Sequence, residues 1–171
     1  YQILAGGLDS VLTKFEIFGM LVAAICHDAG HDGFTNVYNV KAETPLGILF
    51  KNQSVLETHH CSVAINIITK DECNLFSSLS SSENKNMWTL IIMLILATDM
   101  AKHFDLLKNF NTIFDAGDFS LQDQNHRHML LKLLLKGSDI SNVARPFELA
   151  DKWCDVLCEE FFRQGELEKA Q

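Results

Sequence analysis

Cys26-His27-Asp28-Ala29-Gly30-His31-Asp32-Gly33 follows directly on an apolar run, residues 15–25, in which Phe15, Phe18, Leu21, Val22 and Ile25 recur at helical spacing. A helix that reads as core therefore delivers four titratable side chains within six residues at its C-terminal end. A bare carboxylate and imidazole taken out of water are costly unless something pairs with them. A divalent cation suits both residue types. The plainer alternative is a helix end decorated with polar groups, where histidine is favoured by the dipole. On this stretch alone the two readings stand level.

Working outward, the rest of the chain reads as helix. Gly6-Gly7 breaks a short apolar opening, and Asp9 or Ser10 then serves as cap for a helix reaching about Cys26. Residues 32–44 read as loop, and Pro45 suits the first turn of a short helix over residues 46–50. Ser54-Val55-Leu56-Glu57 matches a capping box that opens a helix to about Thr69. A serine-rich linker, residues 77–82, leads into a helix over residues 83–103 that is apolar on nearly every face and so central. Residues 115–118 form a turn, and a leucine-rich helix covers residues 121–136 until Gly137-Ser138-Asp139 interrupts it. Pro146 starts the last helix, with Phe147, Ala150, Trp153, Leu157 and Phe161 on one face and Gly165 at its end. No alternating strand pattern occurs. The expected fold is all-α, a compact helical bundle forming one domain over residues 1–171.

The chain's 171 residues suffice for a real core, and 47% of them are hydrophobic. A formal net charge of −8 with no basic stripe excludes nucleic acid as a partner. The longest apolar run, residues 90–97, is too short to span a bilayer. The five cysteines, Cys26, Cys61, Cys73, Cys154 and Cys158, form no C-x-x-C pair and read as buried free thiols of a reducing, cytoplasmic compartment. Asn52-Gln53-Ser54 has the form of a glycosylation sequon, to which no weight is given. A homodimer is compatible with the composition. The first residue is Tyr1 and the last turn stops without a cap, so both ends read as cuts in a longer protein.

Three further polar clusters fall on greasy helices. Glu57 and His60 share one helix face, and His60 falls in step with Leu56, Val63 and Ile67. As a lone feature this reads first as a hydrogen-bonded core histidine beside a capping glutamate. Thr98-Asp99 ends the central helix; Thr98 could bond a metal-bound water and Asp99 could orient a histidine ligand, or the pair simply marks a frayed end. Asp139 follows the leucine run, and a carboxylate at that depth calls for a cation, with no lysine or arginine obviously placed for it. Taken together, a histidine, a bridging aspartate and a distant aspartate make a nitrogen–oxygen donor set suited to zinc plus a harder ion such as magnesium. Two such ions polarise phosphoryl oxygens and activate water, which is the equipment of phosphoester hydrolysis. No G-x-x-x-x-G-K, G-x-S-x-G or H-E-x-x-H occurs.

The chain resembles the class I 3′,5′-cyclic nucleotide phosphodiesterases. The family's H-D-x-x-H-x-G-x-x-N stands as His27-Asp28-Ala29-Gly30-His31-Asp32-Gly33-Phe34-Thr35-Asn36, and its S-x-L-E-x-H-H as Ser54-Val55-Leu56-Glu57-Thr58-His59-His60. L-A-T-D-M is Leu96-Ala97-Thr98-Asp99-Met100, D-[IL]-S-N is Asp139-Ile140-Ser141-Asn142, and E-E-F-F-x-Q-G covers residues 159–165. The resemblance implies a helical HD-type metal hydrolase, here truncated at both ends, and it reverses the structural reading of the Glu57 and Thr98 clusters.

By that resemblance His27, Asp28 and Asp139 would ligate a zinc ion, with Asp28 bridging to a magnesium or manganese ion. His31, Glu57 and Thr98 would hold the second ion's water, and His60 and Asp99 would support them. The catalytic group would be Asp139, His31 and His60. Asn36, Met100, Asn142, Leu157 and Phe161 would lie against a cyclic nucleotide, cAMP or cGMP. Ala29 stands where the family has a larger apolar residue. The family's H-N-x-x-H, which supplies a fourth ligand and the acid for the leaving oxygen, and its purine-gripping glutamine have no counterpart in these residues. The resemblance thus implies an impaired fragment of an enzyme; the alternative is a non-catalytic helical binding module derived from one.

Overall fold

The computed structural model describes residues 1–51 and 53–170, so Asn52 of the sequon-like triplet lies outside the described residues. A single turn, α1 (Gln2–Ala5), precedes α2 (Lys14–Cys26), α3 (Asn36–Lys41), α4 (Pro45–Phe50) and α5 (Val55–Ile68). Then come α6 (Ser81–Leu96), α7 (His103–Asp115), α8 (Gln124–Asp139) and α9 (Phe147–Ala170), with no strand among the described residues. The all-α expectation holds.

Several boundaries differ, each for a local reason. The cap of α2 is Thr13, not Asp9 or Ser10: its hydroxyl accepts from the Glu16 N–H while Glu16 reaches back to the Thr13 N–H. Residues 36–41 are helix and not loop because Thr35 caps them. The central helix stops at Leu96, and α7 is a separate helix after a short 3₁₀ turn, Met100–Lys102. Gly137 does not interrupt α8, nor does Gly165 end α9; both lie inside helices.

The core is built by α2, α5, α6 and α8 around Met87, Ile91, Leu94 and Ile95, which are fully enclosed. The buried face of α2 is Glu16, Gly19, Met20 and Ala23 with Val22, so Phe18, Leu21 and Ile25 are exposed, contrary to the expected stripe. Gly19 sets that rotation. A Cβ there would lie 2.7 Å from Leu90 Cδ2, so α2 approaches α6 through its glycine rather than its phenylalanines. The free cysteines also depart from expectation: Cys61 is buried, Cys154 is exposed, and the others are half-buried. Cys154 is exposed because α9 buries none of its residues. No helix among the described residues is long and apolar enough to cross a membrane.

Candidate metal centre

His27 closes α2 as its C-cap. Its Nδ1–H donates to the Ala24 carbonyl at 2.8 Å, which leaves the Nε2 lone pair pointing away from the helix. Nε2 faces Asp139 Oδ1 and Asp28 Oδ2, each at 3.3 Å, so residues 112 positions apart in the chain meet. One donor atom from each of His27, Asp28 and Asp139 lies within 4.8 Å of the others. Without a cation the Asp139 bond holds the His27 imidazolium, raising its pKa to about 9 against the opposing effect of burial. The centre is not deep. The Asp28 side chain is 60% exposed and that of Asp139 27%, which corrects the expectation of a carboxylate inside the bundle. Asp139 is the last residue of α8, past the leucines that are buried.

A second layer fixes these groups. His60 is buried on α5, as its spacing predicts, though Ile67 in the same expected stripe is exposed. Its Nδ1–H donates to the Ala29 carbonyl at 2.8 Å, leaving Nε2 3.7 Å from Asp28 Oδ1. Burial holds the His60 pKa below its ordinary value. Asp28 is thereby flanked by two imidazole nitrogens. His31 stacks on His60, ring centroids 5.6 Å apart, and its Nδ1 accepts from the Gly33 N–H at 3.0 Å, so the neutral ring carries its proton on Nε2. Between them Gly30 adopts φ +72°, and a Cβ there would lie 3.0 Å from the His59 ring that bonds its carbonyl.

Glu57 is not half of a capping box. Ser54 makes no cap bond; its hydroxyl donates to Asp99 Oδ2 at 2.8 Å. The first turn of α5 is satisfied instead by Asn36, whose Oδ1 accepts from the Leu56 N–H and whose Nδ2 donates to Glu57 Oε2. Asn36, expected against substrate, thus spends its amide behind Glu57. Burial raises the Glu57 carboxyl above its ordinary value; the Asn36 bond opposes that shift and the Asp99 charge adds to it. Thr98 and Asp99 are buried. Thr98 Oγ1 donates to the Ile95 carbonyl, which leaves its lone pairs free to accept, and Asp99 also takes the Ala101 N–H.

Two residues escaped the sequence reading. Lys136 is 2% exposed and its Nζ donates to the Thr98 and Asp99 carbonyls at 2.9 and 3.2 Å. The available signal is a lysine at the end of a leucine run, three residues before Asp139. Gln164 of α9 accepts from the Thr35 N–H and donates to its hydroxyl, tying the last helix to the loop beside His31. On that helix Leu157 and Phe161 are 47% and 51% exposed, one turn apart. Asn142 keeps a buried Oδ1 with no hydrogen-bond partner among the described residues, and Met100 Sδ lies 3.7 Å from Lys136 Nζ.

The family model described as 3′5′-cyclic nucleotide phosphodiesterase matches residues 1–171. The high affinity cGMP-specific 3′,5′-cyclic phosphodiesterase 9A of Mus musculus is 38% identical over 165 residues, 96% of this chain and 30% of the relative. Its Drosophila melanogaster namesake is 41% identical over 164 residues, 96% of this chain and 11% of the relative. The cGMP-specific 3′,5′-cGMP phosphodiesterase 3 of Dictyostelium discoideum is 38% identical, covering 98% and 36%. The chain therefore spans 11% to 36% of the length of these curated relatives. Among solved structures, LmjPDEB1 in complex with IBMX superposes with a TM-score of 0.92 at 39% identity, covering 99% of this chain and 51% of that one. The phosphodiesterase domain of Salpingoeca rosetta rhodopsin phosphodiesterase gives 0.89 at 35% identity, covering 93% and 49%. Helices that bring His27, Asp28 and Asp139 together, in a sequence matched along its whole length, place this chain in the 3′,5′-cyclic nucleotide phosphodiesterase family.

Proposed function

We propose that the protein containing these residues hydrolyses a 3′,5′-cyclic nucleotide to the 5′-monophosphate at a centre built on His27, Asp28 and Asp139. The observation that carries this reading is the meeting of those three donors, from opposite parts of the chain, within 4.8 Å. The donor set fits a divalent ion: an imidazole nitrogen whose tautomer is fixed by the Ala24 carbonyl, and two carboxylates. Zinc at this triad, and magnesium or manganese between Asp28 and the Glu57–Thr98 side, would supply positive charge for the phosphoryl oxygens and an activated water. The relatives named above make cGMP the substrate to assay first, with cAMP beside it.

The chain's own residues have distinct tasks. Asp139 would orient the attacking water and take its proton as that oxygen bonds to phosphorus, while the P–O3′ bond breaks and O3′ takes a proton from the leaving-group acid. His60 orients Asp28 from below, its Nε2 turned to the carboxylate by the Ala29 bond. His31 presents Nε2–H outward, where it donates to a phosphoryl oxygen or a water beside it. Glu57, held by Asn36, and Thr98, held by Ile95, accept from water, while Asp99 fixes the start of α5 through Ser54. Asn142 would meet the base by its place in the family motif, its side chain turning to bring the amide to the base edge, and Leu157 and Phe161 offer an apolar face to the ring.

The test is zinc stoichiometry together with cGMP and cAMP turnover in the full-length protein, with Asp139→Ala as comparison. Zinc bound in wild type and lost with turnover in the variant, at unchanged helix content, is the expected result. Turnover retained by Asp139→Ala at saturating magnesium refutes it. A polypeptide of these 171 residues alone is expected to bind zinc but hydrolyse slowly, because it contains no H-N-x-x-H to add a fourth ligand and a leaving-group acid. If neither zinc nor turnover is found, the helical binding module is the better description.

A further inference from the structure

Position 136 lies in a run where leucine is the rule: Leu131, Leu133, Leu134 and Leu135 precede it. A leucine there would be buried at no electrostatic cost, whereas an ammonium out of water must be fully bonded to be tolerated. Lys136 meets that demand in an unusual way. Among the described residues it forms no ion pair within 4 Å, and its Nζ donates to two consecutive backbone carbonyls, Thr98 at 2.9 Å and Asp99 at 3.2 Å, with Met100 Sδ as a weaker third acceptor at 3.7 Å. Those carbonyls belong to the corner just past the end of α6, where the chain leaves its helix and the last carbonyls lack intrahelical partners. That corner carries Thr98 and Asp99, and Asp99 in turn holds Ser54 at the head of α5, one turn from Glu57. Lys136 and Asp139 share a face of α8, three residues apart. One side chain therefore links the helix bearing Asp139 to the corner bearing Thr98, and through Asp99 to the helix bearing Glu57.

We propose that Lys136 is the positioning residue of the second ion's half of the centre: by pinning the 97–100 corner to α8, it sets the distance at which Thr98 and Glu57 face Asp28 and Asp139. The inference rests on the two-ion reading above. It opposes the simplest electrostatic expectation. If Lys136 acted only as a charge near three carboxylates, Asp139, Asp99 and Glu57, its removal would tighten the binding of a further cation; as a strap, its removal loosens it.

The experiment uses the full-length protein carrying one equivalent of zinc, titrated with Mn²⁺ and followed by the electron paramagnetic resonance of free Mn²⁺. Lys136→Met keeps length and apolar packing but loses every donor. Lys136→Gln reaches one carbonyl, and Lys132→Met, one turn earlier on α8, is the control. Lys136→Met is expected to weaken Mn²⁺ binding by about tenfold or more, in the range seen when groups supporting metal ligands are removed, while zinc affinity stays within about threefold. Lys136→Gln should recover part of the loss, and Lys132→Met should match wild type. Unchanged or tighter Mn²⁺ binding in Lys136→Met overturns the proposal. So does a parallel loss of zinc, Mn²⁺ and melting temperature, which marks a role in folding only. Should the Met variant not fold, the ¹⁵Nζ resonance of Lys136 in zinc-loaded wild type decides: Mg²⁺ must shift it, and an unmoved signal overturns the strap. Wild type that takes zinc but no Mn²⁺ also overturns it and leaves the zinc centre standing. Wild type that takes no zinc removes the hydrolase reading itself.

Discussion

Binding a cation at His27 requires its proton to leave. In the metal-free protein the Asp139 hydrogen bond, with help from the Ala24 carbonyl and the Asp28 charge, raises the His27 pKa to about 9. At pH 7 such a ring is ~99% protonated, whereas an unperturbed histidine at about 6.5 would be only ~25% protonated. Zinc should therefore expel close to one proton from this ring at pH 7, and its apparent affinity should rise about tenfold per pH unit up to pH ~9 before flattening. An ordinary histidine would give a profile already flat above pH ~7. The sign for the metal-free fold follows from the same shift. Because the folded pKa lies above the unfolded one, the His27–Asp139 pair stabilises the fold fully below pH ~6.5 and ceases to do so as pH rises through about 9. Chelator-competition titrations from pH 6.5 to 9.5, with calorimetry in buffers of different ionisation heat, measure both slope and proton count. Asp139→Asn should bind zinc more weakly and also release far fewer protons at pH 7. A pH-independent zinc affinity between pH 7 and 9 in wild type would refute the reasoning.

Three further outcomes can be checked by melting. Gly30→Ala forces a side chain onto φ +72° and against the His59 ring and Val63, so it should destabilise by about 1–2 kcal/mol. Glu16→Gln should cost about 1.5–3 kcal/mol, because Arg127 Nε donates to both Glu16 oxygens in a largely enclosed pair and the amide keeps only one neutral acceptor for it, while Arg127 Nη1 keeps the Leu121 and Gln122 carbonyls. In wild type, burial works to raise the Glu16 pKa, yet the Thr13 N–H and Arg127 bonds hold it below its ordinary 4.5. That contribution should be complete above pH ~4.5 and fade as pH falls below it, a fade absent from Glu16→Gln.

Where a pattern rests on one helix the sequence is readable, and where it rests on two helices it is not. The enclosed face of α6 follows from its own composition, and Glu57-x-x-His60 shares a face by helical geometry alone. The meeting of residues 27 and 139 came from motif resemblance, since no local rule brings two chain-distant helix ends to 3.3 Å. The errors have the same origin. Helical spacing points to a stripe of Phe15, Phe18, Leu21, Val22 and Ile25 on α2, but the neighbouring helix selects the side on which Gly19 lets it approach, which keeps Val22 buried and turns Phe18, Leu21 and Ile25 outward. Ser54 looked like a cap because Glu57 follows at the right spacing, yet Asp99, from another element, takes its hydroxyl. Lys136 is not legible in the sequence because its partners are carbonyls, which no side-chain pattern advertises.

The placement of the centre has a physical basis beyond its carboxylates. His27 caps the C-terminus of α2, Asp139 is the last residue of α8, and Thr98 lies just past the C-terminus of α6. Each helix ends with carbonyls that lack intrahelical partners and carry a partial negative charge of about half an electron. Such ends repel one another and favour a cation between them. At α6 two lysines already answer part of this demand, Lys102 on the Leu96 carbonyl at 3.1 Å and Lys136 on those of Thr98 and Asp99. Among the described residues no lysine or arginine does so at α2 and α8; the charge that meets both Asp28 and Asp139 there is the proton on His27. That proton therefore stands where the fold's own field calls for a metal ion. The raised His27 pKa and the affinity of its deprotonated ring for zinc both report that potential, so Asp139→Asn, which removes the carboxylate charge, should lower both once proton competition is corrected for.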